Sequence, residues 1–477
     1  MNKSKRVLIF ILILIIGFIL RVFLTTCYFW DEVVYLQHAE IFHGKVNNYN
    51  EFSIRPLFIS ILFSLSFYIW HNSLSANFLV VALSILSIVV IFLTTKEFFK
   101  ENDELALVSA FLLAFWPIHI FFSKTLLVHT TAVLFSSLFL FFQKKAESTD
   151  KEILSYVFSF LCGMFIGVSI LSRFTYLVLI PIAFFNVVLF RNKYNFRKIV
   201  ALLLGFILVM FPYLLWCYRS YGSFFYTFRE AQNIVRAAAP THPWYFYLMV
   251  FPVFLGPAGL VGFVFWLFIK IKERRIRKKE CLLLSWIVLP LLYLTTIPHK
   301  ETRYLFVAFV PILLLSSTGL LNFLSKIKSR KFKISIILFL ILSSVCFSFF
   351  YKPFTRICNH DAKAVAEDWI MNNTNKSAVI YTHDYFPYLG YYSNRTIIVA
   401  PFNKEVFFDK NSLYMKIPGY YLYFEDQEKR NPVVPSRAEI EKDPRFKLVN
   451  IFQNRKKIYI YAYNPGSKFV STKSSVK

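Results

Sequence analysis

The sequence predicts a polytopic, all-α membrane domain of about eleven helices, followed by a small extracytoplasmic α/β domain. Three observations carry that expectation. Apolar runs long enough to cross a bilayer recur as far as residue 351, the short loops between them hold the basic residues, and beyond residue 352 apolar positions alternate with polar ones. Of 477 residues, 57% are hydrophobic and 57 are Phe, and the mean hydropathy is +0.52. That is more apolar surface than one water-facing core can hide, so lipid is the natural solvent. The net charge of +27 sits in short clusters between apolar runs. This is the positive-inside pattern of a membrane protein, and it argues against nucleic acid as a partner. Cys27, Cys162, Cys217, Cys281, Cys346 and Cys358 show neither CxxC nor His/Cys ligand spacing, so no zinc site or disulfide framework is implied.

The first apolar run, Val7 to Leu20, follows Lys3, Lys5 and Arg6. No small-x-small cleavage site comes after it, so it is expected to remain as a first span. Further spans are expected near 77–95, 105–122, 126–143, 153–171, 174–190, 199–218, 245–270, 281–297, 304–322 and 334–351. Pro56 to Trp70 is apolar but short and opens on Pro. Taken as an interfacial helix in the outer loop 26–76, it puts Lys96/Lys100, Lys144/Lys145/Lys151, Arg191/Lys193/Arg197/Lys198, Lys270 to Lys279 and Lys326 to Lys333 on the side of the N-terminal cations. The N-terminus is then cytoplasmic. The outer side receives the turns 123–125, 172–173 and 298–303, the loop 219–244, and everything after Tyr351. The expected division is a membrane domain over 1–352 and a soluble extracytoplasmic domain over 353–477. Within the latter, Ala362 to Met371 has helical spacing, and Ala378 to Thr382, Thr396 to Val399, Tyr420 to Phe424 and Lys457 to Tyr463 read as strands. The closing Ser/Lys stretch reads as frayed.

Ionisable groups near spans are costly, so each asks for a partner or a task. Arg21, Asp31, Glu32, His119, Lys124, His129, Arg173, His299, Lys300, Glu301 and Arg303 all fall near outer helix ends under this topology. Asp31-Glu32, between Trp30 and Val33-Val34-Tyr35, is a carboxylate pair beside bulky side chains, where partial desolvation makes a better base. The alternative is that Asp31 caps a helix starting at Glu32. His299-Lys300-Glu301-Thr302-Arg303-Tyr304 packs two cations and a histidine into a turn where a tight hairpin would use Gly, Asn or Ser. Arg offers a phosphate bidentate contacts and Lys a point charge, and Glu301 can hold either one in place. Snorkelling to ordinary headgroups explains single cations but not this cluster. Arg173 reads either as a second phosphate contact or as an interfacial anchor, and His119 and His129 read as packing groups. Gly256-Pro-Ala-Gly-Leu-Val-Gly suggests close helix packing or a kink. No Walker A, GxGxxG, HExxH or metal-holding D-x-D occurs, which argues against a soluble nucleotide or nucleotide sugar as substrate.

An Asp-Glu pair just after the first span, an amphipathic segment in the same outer loop, many spans, a late H-K-E-x-R-Y turn and a C-terminal soluble domain resemble the GT-C superfamily of membrane glycosyltransferases. The likeness is to the protein O-mannosyltransferase and aminoarabinose-transferase branch. The turn from His299 to Tyr304 is also similar to the H-K-E-x-R-F turn of lipid-linked-oligosaccharide and GPI mannosyltransferases. In architecture the resemblance covers about 1–350, and in residues only these two short motifs. It implies transfer of a mannose-like hexose or a pentose from a polyprenyl-phosphate donor to a hydroxyl on a protein, lipid or glycan acceptor at the outer face of the bilayer, with inversion at the anomeric carbon. Asp31, aided by Glu32, then accepts the acceptor's proton. His299, Lys300, Arg303 and Arg173 bind the departing phosphate, and Glu301, Tyr304, Lys124 and His129 support them. Many relatives begin the helix after the Pro-containing third span with an acidic residue. Here Leu126-Leu-Val-His129 offers His129, a departure that bears on the acceptor. The motifs name no cofactor, and a divalent metal on Asp31 and Glu32, as in some branches, stays open. The rival reading is a transporter or flippase of a lipid-linked glycan. Such proteins set ionisable groups near the bilayer midplane and show inverted repeats, whereas here the charges gather at the outer edge and no repeat is visible.

Overall fold

The computed structural model describes residues 2–22, 28–44, 54–70, 72–237, 241–350, 359–409, 414–431 and 433–466. Cys27, Cys358, the expected boundary after residue 352 and the closing Ser/Lys stretch lie outside them. Contacts divide the chain into a helical unit, Met1–Leu24 with Phe52–Thr355, and a second unit, Thr25–Glu51 with Arg356–Lys477.

In chain order the first helices are α1 (Lys3–Ile19), α2 (Trp30–Phe42), α3 (Phe58–Phe67), α4 (Ser73–Phe98), α5 (Asp103–Ala114), α6 (Pro117–Phe122), α7 (His129–Ser148) and α8 (Glu152–Ser172). They are followed by α9 (Leu179–Leu189), α10 (Phe196–Tyr221), α11 (Tyr226–Ala237), α12 (Phe246–Glu273), α13 (Lys278–Thr296), α14 (Phe309–Lys326) and α15 (Arg330–Phe350). All but α2 belong to the helical unit. Their starts are coded locally: Asn72 accepts the N–H groups of Leu74 and Ser75, and Asn102 that of Leu105, ahead of Asp103 and Glu104. Pro117 cannot continue α5, because it lacks the N–H and its ring clashes with the preceding turn, so the chain restarts as α6. Among the described residues seven helices are long and apolar enough to cross a membrane. At ten residues, α3 is about 15 Å long, well short of the roughly 30 Å hydrocarbon core.

Lipid gives helices no hydrophobic reason to associate, so close backbone packing must do it. A Cβ on Gly163 would stand 1.9 Å from the Leu202 carbonyl, and one on Gly205 would stand 2.0 Å from that of Phe160, which locks α8 to α10. Gly262 and Gly319 do the same for α12 and α14. The Gly256-Pro257 pair kinks α12: Gly256 has φ +64°, and the Phe254 carbonyl is taken up by Trp116 Nε1 at 2.8 Å. Leu203, Leu204, Ile207, Leu208 and Phe211 of α10, and Leu338, Phe339 and Leu342 of α15, stay exposed. In a bilayer such faces meet acyl chains.

The second unit holds α2, α16 (His360–Ala364), a π-helical turn over Val365–Ile370, α17 (Met371–Asn373), β1 (Val379–Thr382), α18 (Phe386–Ser393), β2 (Thr396–Val399) and α19 (Lys404–Phe408). It continues with β3 (Gly419–Phe424), α20 (Gln427–Arg430), α21 (Arg437–Lys442), β4 (Phe446–Gln453) and β5 (Lys457–Tyr463). The sheet order is β2-β1-β3-β5-β4, with β1 parallel to β2 and β3, and β5 antiparallel to β3 and β4. The α/β expectation for the tail holds, and the four expected strands are present. One sheet face is lined by Tyr381, Tyr421, Tyr461, Tyr463, Phe407 and Phe446. α2 packs on α18. Gln37 Nε2 donates to the Pro387 carbonyl at 3.2 Å, and Trp30 meets Phe386 edge-on at 4.8 Å. Gly390 leaves the space that Gln37 occupies.

Candidate functional site

The turn between α13 and α14 gathers charge at one end of the helical unit. Its first residues pair with the chain ahead of α12: His299 bridges Thr241 in antiparallel fashion, and the His242 N–H donates to the Pro298 carbonyl at 2.9 Å. Lys300 fastens this short ladder. Its Nζ donates to the carbonyls of His242 at 2.9 Å and Ile297 at 2.5 Å, and the residue is 4% exposed. The sequence suggests Lys300 as a phosphate ligand, whereas in the structure its ammonium is turned inward. The carbonyls just past the end of α13 and in the ladder need donors where water does not reach.

Arg303 and His299 converge on Glu301. Arg303 grips the carboxylate through Nε and Nη2, and His299 Nε2 donates to it at 2.9 Å. Burial alone would raise the Glu301 pKa, but the charge and bonds of Arg303, the bond from His299 and the charge of Arg173 hold it below the usual carboxylate value. Arg173, just past the end of α8, lies with its guanidinium 5.2 Å from the ring centroid of Tyr304. Its Nη1 donates to His129 Nε2 at 2.5 Å. An arginine only donates, so His129 is the neutral tautomer with its proton on Nδ1. The His129 ring is packed by Phe122 at 4.1 Å and Phe306 at 4.9 Å. The structure thus brings Arg173, His129, His299, Glu301, Arg303 and Tyr304 into one cluster. Two guanidiniums there face a single carboxylate.

Arg21 is buried and fully engaged. Nε donates to Ser84 Oγ at 2.7 Å, Nη1 to the carbonyls of Gly17 and Ala114 at 2.9 Å, and Nη2 to the Leu113 carbonyl at 3.0 Å and His119 Nδ1 at 3.1 Å. Leu113 and Ala114 end α5, where Pro117 stops the helix from supplying donors. Arg21 therefore pins α1, α4, α5 and α6 together, and His119 is a packing group. Lys124, in the turn before α7, has its ammonium 4.4 Å from the Phe349 ring centroid. Burial, and then the charge of Arg21, push it down to about 8.

The acid pair lies on α2 in the second unit. The helix opens at Trp30 after Phe29, and Glu32, which is buried, accepts the Phe29 N–H at 2.5 Å. This corrects the capping alternative: the helix begins two residues earlier than Glu32, and the capping carboxylate belongs to Glu32. Asp31 is half-buried. Among the described residues no three His, Cys, Asp or Glu gather as metal ligands.

The sequence does not single out Thr241 or Tyr247, and it places His242 in the outer loop 219–244 as solvated charge. Tyr247 is 2% exposed and lies beside Tyr304, Glu301 and Arg173. Its only sequence signal is membership of Trp244-Tyr-Phe-Tyr247 at the head of a span, which reads as an aromatic belt.

The apolar helical bundle and the small α/β unit have the fold of solved structures of ArnT and of an oligosaccharyltransferase, and the chain is a multi-pass membrane protein. Residues 54–216 match the model of the family described as dolichyl-phosphate-mannose-protein mannosyltransferase. The crystal structure of ArnT from Cupriavidus metallidurans bound to undecaprenyl phosphate matches with a TM-score of 0.67 and 12% identity, over 99% of this chain and 100% of that one. The apo form of the same protein matches with a TM-score of 0.65 and 13% identity, over 96% and 98%. The Archaeoglobus fulgidus oligosaccharyltransferase in complex with zinc and sulfate matches with a TM-score of 0.57 and 16% identity, over 95% of this chain and 73% of that one. Comparison with curated proteins gives no match. At these identities the structural likeness is one of fold. Together with the family match it supports a membrane glycosyltransferase.

Proposed function

We propose that this protein transfers a mannose-like hexose or a pentose from a polyprenyl-phosphate donor to a hydroxyl of a protein, lipid or glycan acceptor on the outer face of the membrane. The observation that carries this reading is the cluster in which Arg173 and Arg303 are held by His129 and Glu301 beside Tyr304. ArnT bound to undecaprenyl phosphate supports a donor of the same chemistry. The acceptor oxygen attacks the anomeric carbon as the bond from that carbon to the phosphate oxygen breaks, so the configuration inverts. Asp31 takes the acceptor's proton, and the polyprenyl phosphate leaves with the bonding electrons. Arg173 and Arg303, with His299, hold its oxygens. Guanidiniums suit phosphate because their forked N–H groups bind two oxygens at once. Held in advance by Glu301 and His129, they need little reorganisation as charge builds on the leaving group. A phosphate monoester leaves readily once its charge is countered, so no general acid is required. The basic loops support a cytoplasmic N-terminus.

The test uses a deletion strain, whose missing glycan, found by mass spectrometry, identifies sugar and acceptor. Returning the Asp31→Asn variant should restore the glycan at a rate lower by about 100-fold or more, while purified protein still binds undecaprenyl phosphate. Arg303→Ala should weaken that binding. Full restoration by Asp31→Asn removes Asp31 as the base, and undiminished binding by Arg303→Ala removes the phosphate role.

A further inference from the structure

We infer that the Tyr247 hydroxyl is a further ligand of the donor phosphate, donating its hydrogen to a phosphate oxygen beside Arg173 and Arg303. This rests on the polyprenyl-phosphate reading above. Tyr247 stands on the first turn of the 28-residue α12, is 2% exposed, and packs its ring against Phe246 with centroids 5.3 Å apart. Tyr304, Glu301 and Arg173 are close enough to act on it electrostatically. Among the described residues its hydroxyl hydrogen has no acceptor, while the Glu301 N–H lies near enough to donate to its oxygen. A buried tyrosine O–H ordinarily finds an acceptor, and leaving one without costs free energy. The other polar groups of the cluster are already engaged: His299 and Arg303 with Glu301, Arg173 with His129, and Lys300 with two carbonyls. What completes such a set is a group that accepts and carries negative charge, which describes the phosphodiester of the donor and the phosphate monoester that leaves. The ladder of Thr241 and His242 with the 298–300 turn lies a few residues ahead of Tyr247 and ties the head of α12 to the turn that bears Arg303.

The experiment is Tyr247→Phe in the full-length protein in nanodiscs, since it removes the hydroxyl and little else. Without ligand its thermal midpoint should equal or exceed that of the wild type, because a buried unpaired donor is gone. Undecaprenyl phosphate should bind about 10- to 100-fold more weakly, the range expected for one hydrogen bond to a charged group. Undecaprenol, which lacks the phosphate, should bind both proteins equally. A lower midpoint with wild-type affinity for undecaprenyl phosphate would mark Tyr247 as structural and overturn the inference. Equal weakening toward undecaprenol would also overturn it, since the contact would then be to the chain. Arg303→Ala serves as the control. If it loses affinity while Tyr247→Phe does not, only this inference fails; if Arg303→Ala keeps full affinity, the donor reading itself fails.

Discussion

Replacing Lys300 with Met separates a structural ammonium from a phosphate ligand. Methionine keeps an unbranched, flexible apolar stem of similar reach but has no N–H to offer. The carbonyls of His242 and Ile297, bonded at 2.9 and 2.5 Å to an ammonium that is 4% exposed, would lose these donors together. Each buried acceptor left unpaired costs about 1–3 kcal/mol, and removing the burial cost of the ammonium itself returns part of the total. The expected net loss is about 3 kcal/mol, felt locally as a loosened ladder between residues 241–242 and 298–300. The assay is the thermal midpoint in nanodiscs without ligand, paired with titration of undecaprenyl phosphate. Lys300→Met should lower the midpoint clearly and weaken binding less than Arg303→Ala does. A variant with the wild-type midpoint that no longer binds undecaprenyl phosphate would refute the reasoning and return Lys300 to the ligand role that the sequence suggests.

Three further outcomes follow from the same geometry. Arg21→Lys replaces five N–H groups with three, so at least two of the partners on α1, α4, α5 and α6 lose a donor. The expected destabilisation is about 2–4 kcal/mol by thermal unfolding, and an unchanged midpoint would show that Arg21 is no pin. Gly205→Val sets a side chain where a Cβ already lies 2.0 Å from the Phe160 carbonyl, so α8 and α10 must part. A loss of about 3 kcal/mol or more is expected, read as the yield of monodisperse protein, and a normal yield would contradict the close crossing. In the second unit His383 donates from Nε2 to the Pro401 carbonyl at 2.9 Å and accepts the Tyr421 hydroxyl on Nδ1 at 2.8 Å, and burial pushes it down to about 4 from 6.5. Between those pH values the unfolded state binds a proton that the folded state refuses, so stability is full above pH 6.5 and falls toward pH 4, by about 3 kcal/mol. Hydrogen exchange of the β1 and β3 amides should report this fall, and a pH profile matching that of His383→Gln would disprove it.

The helical ranges were legible because a bilayer forces every spanning segment to satisfy its own backbone and to be apolar over its length, and both demands are written in consecutive residues. The soluble sheet was legible where strands alternate on a buried face, as in β3 and β5. β4 escaped notice for a physical reason: it is an edge strand whose Leu448, Val449 and Ile451 are exposed, and an irregularity between Leu448 and Asn450 interrupts the period of two. The turn from His299 to Tyr304 stood out because five polar residues in an apolar context are conspicuous. What each would do was not legible. Lys300 and Arg303 differ in partners because of what lies opposite them, and for Lys300 that is a carbonyl 58 residues earlier in the chain. Likewise nothing local distinguishes Tyr247 from its neighbours Trp244 and Tyr245, which are 68% and 43% exposed.

The acid pair carries the same lesson further. By position, residues 28–44 look like part of an outer loop between the first spans, yet their contacts assign them to the unit built from the C-terminal sheet. The sequence of α2 gives a reason once its environment is known. Glu32 to Ala39 are all buried, so the helix has no continuous polar face to leave in water and needs cover around its circumference. α18 supplies part of that cover with Phe386, Tyr388 and the notch at Gly390 that receives Gln37. Within the pair, Glu32 is committed to the first turn of α2 through the Phe29 N–H. The proposed base therefore reduces to Asp31 alone, on a helix whose start is fixed by its own neighbour and whose flank is seated on α18. It stands on an element of the second unit, whereas the cluster of Arg173, His129, Glu301 and Arg303 is built wholly from helices and turns of the first. The proposed proton acceptor and the proposed phosphate ligands thus belong to different compact units of the chain, and a substitution that loosens α18 is expected to lower transfer more than it lowers undecaprenyl phosphate binding.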